Sequence, residues 1–224
     1  TVLRGGKVSA TRDKVATDKR ELARLMVGRE VLFSLDKGAF NPGEAVLQLQ
    51  DVNALSDRGV PALVDVSMDI RAGEILGIAG VAGNGQRELA EVITGLRKAK
   101  SGTVLIHGKD MTNRSPRQVI DARVSHVPED RLGVGLIPNL PVTDTTILKG
   151  YDHAPLSRGP FLDEAFIRGF VQKLIKAFDI ATPSPDIPIK LLSGGNLQKT
   201  LLAREISVSP RLMVAVHPTR GLDV

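Results

Sequence analysis

The chain has 224 residues, of which 42% are hydrophobic and 25% charged, a composition that excludes disordered, collagen-like and coiled-coil chains. The 30 Lys and Arg exceed the 25 Asp and Glu, which gives a net charge of +5. The basic residues are scattered among acidic ones, and one Tyr, six Phe and no Trp provide little surface for stacking on bases. Both features argue against nucleic-acid binding. The absence of cysteine excludes disulfides, thiolate metal sites and cysteine nucleophiles.

A small N-terminal segment precedes the larger part of the chain. Residues 1–8 predict a hairpin that turns at Gly5 and Gly6, and a helix is expected from Asp18, with Gly28 able to end it. Residues 35–44, rich in Gly and Pro, predict a linker, so a second domain is expected near residue 45. The start at Thr1 and the stop at Val224 directly after a strand-like run predict a fragment.

The first half of the second domain predicts a strand-loop-helix unit. Apolar and polar residues alternate over 64–70, the period of a half-buried antiparallel strand, and 46–52 is a weaker strand candidate for the same sheet. Residues 74–79 are almost all apolar and predict a buried strand that runs into a glycine-rich turn. The helix after this turn buries one face, consisting of Leu89, Ile93 and Leu96. This order is that of a phosphate-binding unit.

The second half predicts further α/β units with a helical insert. Strands are expected at 103–107 and 123–127, with a short helix begun by Ser115 and Pro116 between them. A longer helix over 163–178 carries apolar residues on one face, a further helix follows Ser193, and 212–216 predicts a buried strand. Together these elements predict an α/β nucleotide-binding fold with appendages.

The glycine loop keeps only part of a phosphate-binding pattern. Glycines at three positions have the spacing that lets backbone N–H groups converge on phosphate oxygens at a helix start, within the stretch Gly80, Gly83, Asn84, Gly85, Gln86, Arg87 and Glu88. Gln86 and Arg87 stand where such a loop has Lys and Ser/Thr. Gln86 supplies no ammonium for the β and γ phosphates, and Arg87 has no oxygen for Mg²⁺. A strand-to-helix turn without a ligand is the alternative interpretation.

A second motif decides between these interpretations. Residues 191–199 read LLSGGNLQK, and an apolar run followed by HPTRGLDV comes after them. Together with the glycine loop and VPEDR at 127–131, this order resembles that of ABC-type ATPases over residues 46–224. The chain looks most similar to the second half of the tandem ATP-binding subunits of bacterial simple-sugar and nucleoside importers. Residues 1–34, with TVLRGGKV and RELARLMVGRE, resemble the tail of the preceding half.

The resemblance implies a P-loop NTPase core with an antiparallel β-subdomain and a helical subdomain. It also implies three segments: 1–34 as the tail of a preceding domain, 35–45 as a linker and 46–224 as a nucleotide-binding domain. In this family each nucleotide lies between the P-loop of one half and the signature of the other. The signature would thus serve the companion half in trans through Ser193, Gly194, Gly195 and Asn196.

Several positions depart from the family pattern. Val216 and His217 replace the Asp that supports Mg²⁺ and the Glu that polarises water, which leaves His217 as the alternative base. Glu129 takes the Q-loop position, Asp223 would couple the two sites, and no aromatic ring lies between residues 57 and 61 to stack on adenine. We therefore expect no catalytic or metal-binding residue in this half, weak or absent ATP binding at its own loop, and no Mg²⁺ there.

The resemblance implies an ATP-binding component of an importer for a simple sugar or nucleoside. Its partners would be the companion nucleotide-binding domain, two transmembrane permease subunits at the cytoplasmic face and, indirectly, a substrate-binding protein. No apolar run approaches the ~20 residues of a membrane-spanning helix, so a membrane role would act through these partners. Two alternatives remain open: a coupling scaffold that binds no nucleotide, and a soluble ABC ATPase of DNA repair or translation.

Overall fold

The computed structural model describes residues 1–28, 41–81 and 83–222, which fall into two compact units divided between residues 40 and 41. In the first unit, strands β1 (Val2–Arg4) and β2 (Lys7–Ala10) form the expected hairpin. Helix α1 (Lys19–Val27) begins where Asp18 accepts the Glu21 N–H at 2.7 Å and ends at Gly28, whose φ is 83°. These predictions are confirmed. Most of the predicted linker lies outside the described residues.

An antiparallel sheet opens the second unit. Its four strands run in the order β4-β3-β5-β6, with the bounds β3 (Ala45–Leu55), β4 (Pro61–Arg71), β5 (Ser101–Ile106) and β6 (Lys109–Asp110). Helix α2 (Gln86–Ile93) covers this sheet and buries Leu89 and Ile93 in a common core with β3 and β5, whereas Leu96 lies beyond the helix and is exposed. The strands predicted from 46–52, 64–70 and 103–107 are confirmed.

The face of β4 that contacts the core differs from the prediction at one end. Leu63 is buried and Val64 is exposed, although simple alternation from Val66 places Val64 inward. The reason is a bulge at Asp65, whose φ is 47°, because an extra residue in one strand reverses the alternation beyond it. Asn53 of β3 holds the bulge, accepting the Asp65 N–H at 3.1 Å and donating to its carboxylate at 2.9 Å.

Helices surround a short parallel pair in the remainder of the unit. Strands β7 (Val124–Val127) and β10 (Leu212–Ala215) pair in parallel, and β8 (Ser157–Arg158) and β9 (Phe161–Leu162) form a small hairpin. The helices are α3 (Pro116–Asp121), α4 (Val142–Ile147), α5 (Glu164–Ala177) and α6 (Gly194–Ser207). The predicted helices begun by Ser115 and Ser193, the helix over 163–178 and the strand over 123–127 are confirmed. Helix α4 has no counterpart among the predicted elements.

The buried strand predicted over 74–79 is wrong, and the strand predicted over 212–216 is confirmed as β10 but is only partly buried. Residues 74–79 form neither a strand nor a helix, and Ile75 is 91% exposed. In β10, Met213 and Ala215 are exposed and only Leu212 is buried. The side chains of a strand are buried when other elements cover both faces of its sheet, and the exposure of these side chains shows that the described residues leave a face of each segment uncovered. No helix in the described part of the chain is long and apolar enough to cross a bilayer.

Candidate functional site

The carboxyl ends of β7 and β10 meet at one edge of the parallel pair. The Val216 N–H donates to the Val127 carbonyl at 2.8 Å, so the residues that follow each strand lie side by side. Glu129 follows β7, and His217 follows β10 in a turn with φ 49°. This edge of a parallel sheet is where α/β folds place their ligands.

The glycine loop is a tight turn into α2. Gly85 stands at the N-cap with φ 92°, and a Cβ there would come 2.5 Å from the Ala62 carbonyl oxygen, so only glycine fits. Gly83 also has a left-handed φ of 89°. The Asn84 N–H donates to the Val81 carbonyl at 3.2 Å, which closes the turn on itself.

Gln86 folds across this loop. Its side-chain amide donates to the Val81 carbonyl at 3.3 Å, and a Cβ at Gly80 would overlap the same amide nitrogen. The interior of the turn is therefore partly filled by the side chain that replaces the expected lysine. Glu88 follows in the first turn of α2.

Arg87 is held by carboxylates beside the loop. Its Nε donates to Glu91 Oε1 at 2.7 Å, and its Nη1 lies 3.5 Å from Asp57 Oδ2. The Glu91 carboxylate raises the pKa of Arg87, and Arg97 lowers the pKa of Asp57. Arg97 also donates to the Leu55 carbonyl at 2.7 Å, so ion pairs and this hydrogen bond tie the β3–β4 loop to α2 and to the segment after it. This is where the family resemblance implied an adenine-stacking ring.

The side chains at two positions expected to support a magnesium ion do not fit one. Mg²⁺ requires oxygen ligands. Arg87 presents a guanidinium already paired with Glu91 where a hydroxyl would be needed, and Val216 presents an aliphatic side chain at the strand end. Neither Arg87 nor Val216 therefore supplies a magnesium ligand.

The Ser-Gly-Gly turn forms a well-capped helix start. Ser193 Oγ accepts the Asn196 backbone N–H at 3.4 Å and its side-chain amide at 2.9 Å, and Asn196 Oδ1 accepts the Ala181 N–H at 2.8 Å. Ser193 and Gly194 are exposed, while Gly195 and Asn196 are half-buried. The first-turn N–H groups of a helix have no intrahelical acceptors, so this end of α6 can bind an anion.

A cleft of ≈ 590 Å³ separates α2 from the segment after β7. Its lining carries charges of both signs and includes Arg87, Glu91, His126, Glu129, Arg131 and Arg220. Glu129 is paired with Arg220, whose Nη1 lies 3.3 Å from Glu129 Oε1.

The family of the chain follows from its sequence. The protein family described as ABC transporter matches residues 63–220, a stretch that includes the glycine loop, Glu129 and the Ser-Gly-Gly turn. The chain belongs to this family.

Relatives of this ABC domain carry import functions in their names. It is 46% identical over 226 residues to the glucose import ATP-binding protein TsgD13 of Haloferax volcanii and 42% identical over 224 residues to the guanosine import ATP-binding protein NupO of Bacillus subtilis. It is 43% identical over 224 residues to the nucleoside import ATP-binding protein NupA of Lactococcus lactis. All of this chain is covered in each case, but it spans only 41% of the first relative and 44% of the other two.

Solved ABC cassettes share the fold. A dimeric post-hydrolysis structure of the cassette MJ0796 bound to ADP and Pi superposes with a TM-score of 0.65 at 22% identity, covering 79% of this chain and 76% of that one. A second dimeric structure of MJ0796 gives a TM-score of 0.66 at 23% identity, with the same coverage. The predicted P-loop NTPase fold of the ABC type is confirmed.

The sequence-predicted residues of this ABC domain lie in three places. The described residues of 80–88 surround the start of α2, residues 193–196 form the start of α6, and Glu129 and His217 lie at the carboxyl edge of the parallel pair. Arg220 connects Glu129 to the loop after β10. Asp223 lies outside the described residues, so its predicted coupling role stays a prediction.

Sequence reasoning missed the arginines that organise these loops. Arg131 and Arg97 each contact backbone carbonyls far along the chain, at separations of 63 and 42 residues. The spacing of apolar residues along the sequence predicts helices and strands, but it does not predict contacts between residues so far apart. The VPEDR pattern was the one signal that placed Arg131 near functional loops.

We expect the stability of this ABC domain to depend on pH through His126. Burial, and then the charge of Lys149, lower the pKa of His126 to about 4; Arg204 also lowers it, while Glu205 and Glu91 act in the opposite direction. The unfolded chain protonates the His126 imidazole near pH 6.5, whereas the folded chain keeps it neutral until about pH 4. The stability that the neutral His126 contributes is therefore fully present above pH 6.5 and is lost as the pH falls toward 4.

We expect this contribution to lower the free energy of unfolding by about 1–2 kcal/mol between about pH 7 and about pH 5. Urea unfolding at several pH values measures it. The variant His126→Gln, which cannot titrate, should show a correspondingly flatter dependence. An unchanged slope in that variant would assign the pH dependence to other groups.

Proposed function

We propose that this ABC domain is the half of a tandem ATP-binding subunit that supplies a phosphate-binding helix end to its companion half. The observation that supports this most directly is a contrast between two helix starts. At α2 the loop is occupied by Gln86, and Arg87 is paired with Glu91. At α6 the Ser193 and Gly194 turn is capped and exposed. An accessible helix start can hold a γ-phosphate bound by another domain.

The proposed complex is an importer of a simple sugar or nucleoside. Relatives named for glucose, guanosine and nucleoside import support this class. In the proposed assembly the companion domain carries the competent P-loop, and two transmembrane permease subunits receive both domains at the cytoplasmic face. A substrate-binding protein would act indirectly through the permeases. The comparisons do not favour a soluble ATPase of DNA repair or translation.

In this arrangement the half's own glycine loop is closed and binds nucleotide weakly or not at all. Gln86 and Arg87 meet internal partners rather than a ligand. Because neither Arg87 nor Val216 offers Mg²⁺ an oxygen in the expected place, we predict that Mg²⁺ does not tighten ATP binding by the 224-residue chain. Isothermal titration calorimetry with and without Mg²⁺ measures this. Tight binding that requires Mg²⁺ would contradict the prediction.

ATP hydrolysis by the full-length protein tests the in-trans assignment. Substitution of Ser193 or Gly194 should reduce hydrolysis, since the phosphate-binding end of α6 would be altered while the companion P-loop stays intact. Unchanged hydrolysis would reject the assignment and favour the remaining alternative, a domain that only couples its companion to the permeases.

A further inference from the structure

We infer that Arg131 is a positioning residue for the signature turn, an inference that rests on the proposed function. Arg131 begins a short π-helical turn (Arg131–Gly135) directly after the segment that follows β7. Its side chain is half-buried and reaches two other loops at once. One Nη atom donates to the Gly194 carbonyl at 2.8 Å, and the other donates to the Arg220 carbonyl.

The glycines around this guanidinium leave room for it. A Cβ at Gly221 would lie 3.2 Å from the nearer Arg131 nitrogen, and Gly221 also has a left-handed φ of 71°. A Cβ at Gly194 would lie 3.4 Å from Arg131 Nη1. A planar guanidinium therefore lies between two glycine-containing turns, each of which presents a backbone carbonyl to it. Because a guanidinium donates in several fixed directions, one side chain can hold both carbonyls in a defined relative position.

Neighbouring contacts join two of these loops, the start of α6 and the loop after β10. The buried Gln198 of α6 donates to the Pro218 carbonyl at 2.7 Å, and a Cβ at Gly195 would come 2.9 Å from the Gly221 carbonyl oxygen. Thus the start of α6 packs tightly on the loop after β10, and Arg131 adds the loop after β7 to this contact.

The Arg131 contacts constrain the signature turn directly. The amides that would meet a phosphate belong to the turn whose Gly194 carbonyl Arg131 holds. Fixed donors bind a developing charge better than mobile ones, because no reorganisation is needed when the ligand arrives. The position of the signature therefore depends on the conformation of the loops after β7 and β10. The family motif alone does not specify this link.

Hydrogen exchange tests the positioning role without any ATP. In the full-length protein, Arg131→Met should accelerate amide exchange in peptides covering residues 193–197 by about tenfold, the lower end of what a lost charge-assisted hydrogen bond produces. Peptides of the β3–β5 sheet should not change. Arg131→Lys keeps the charge but lacks the planar fork, so it should give an intermediate acceleration.

The matched control is Arg158→Met. Arg158 is an exposed arginine that pairs with Asp163, and its contact joins only neighbouring residues of the chain. Removing it should leave exchange at residues 193–197 unchanged. Acceleration in every region, including the β3–β5 sheet, would indicate general destabilisation by Arg131→Met and overturn the positioning role. Unchanged exchange at residues 193–197 would overturn it as well.

Steady-state ATP hydrolysis completes the test. We expect Arg131→Met to lower kcat about tenfold while KM for ATP stays within about twofold, because the companion half would still bind the nucleotide. A wild-type kcat in Arg131→Met would overturn the catalytic relevance of the positioning. If instead substitutions at Gly194 leave hydrolysis unchanged while Arg131→Met still accelerates exchange, the proposed function fails and the Arg131 contact stands.

Discussion

Replacing Gly194 by aspartate in the full-length protein is expected to reduce ATP hydrolysis by about 10²- to 10³-fold, the range seen when one preorganised donor to a developing negative charge is removed. The carboxylate would stand at the exposed start of α6, where the in-trans proposal places the γ-phosphate of the companion half. It would repel that phosphate and block its approach to the backbone N–H groups.

Gly194 suits this experiment because the fold accepts a side chain there. A Cβ would lie 3.4 Å from Arg131 Nη1, which is an ordinary van der Waals contact, and the backbone conformation is not left-handed. Gly195 is less suitable, since a Cβ there would approach the Gly221 carbonyl oxygen at 2.9 Å. A loss of hydrolysis caused by a displaced Arg131 would also appear in an uncharged variant of the same shape, so the excess loss in the aspartate variant reports the added charge.

Two control variants distinguish the effect of the new negative charge from the effect of the added side-chain volume. Gly194→Asn has the same shape as the aspartate variant without its charge and should retain more activity. Gly169→Asp places the same charge on the exposed face of α5, where a Cβ meets nothing within 4 Å, and should hydrolyse ATP at the wild-type rate. Equal rates in all three variants and the wild type would sink the in-trans role.

The largest stability effect is expected at Glu205. Its side chain is fully buried and pairs with Lys149 Nζ at 2.6 Å and Arg204 Nη2 at 2.8 Å, while its Oε2 also accepts the His126 N–H at 3.0 Å. Burial favours a higher pKa for Glu205, but the charges of Arg204 and Lys149 and the hydrogen bonds outweigh it, so the pKa lies below its ordinary value. The Glu205 carboxylate thus neutralises the charges of Lys149 and Arg204 at the place where α6, β7 and the end of α4 meet.

We expect Glu205→Gln to lower the free energy of unfolding by about 3–5 kcal/mol, because it keeps the volume but leaves the buried Arg204 and the half-buried Lys149 without a counter-charge. Urea unfolding measures the change. Glu164→Gln, a matched control in the exposed first turn of α5, should stay within about 0.5 kcal/mol of the wild type.

A compensated variant sharpens this test. The triple variant Glu205→Leu, Lys149→Met and Arg204→Leu replaces the whole ion-paired group by apolar side chains. Because no charge is then left unpaired, the triple variant should be more stable than Glu205→Gln. Glu205→Gln at wild-type stability would show that the carboxylate charge is not needed.

Local signals in the sequence were reliable wherever a short stretch determined the outcome. Asp18 predicted one helix start and Ser115 with Pro116 predicted another, and in the structure both Asp18 and Ser115 cap their helices through a backbone N–H three positions later. Alternation predicted β4, but the bulge at Asp65 changed which residues point inward, since the Asn53 contact that holds the bulge comes from another strand.

At the candidate site, too, some features were visible in the sequence and others only in the structure. The glycine spacing at Gly83 and Gly85 and the Ser193 turn were visible in the sequence, because tight turns and helix starts need particular residues. The internal partners of Gln86 and Arg87 were not visible, although both residues were recognised as departures. A missing lysine or hydroxyl can be inferred from the sequence, but the group that takes its place is known only from the packing.

By itself, the sequence determined the ABC fold, the helix caps and the residue types present at each candidate loop. The tertiary structure alone decided that residues 74–79 stay unpaired, that Glu205 is enclosed with two cations, and that Arg131 joins three loops. The physical reason is that capping and periodicity act over a few residues, whereas strand pairing, charge burial and loop bridging depend on groups far apart along the chain.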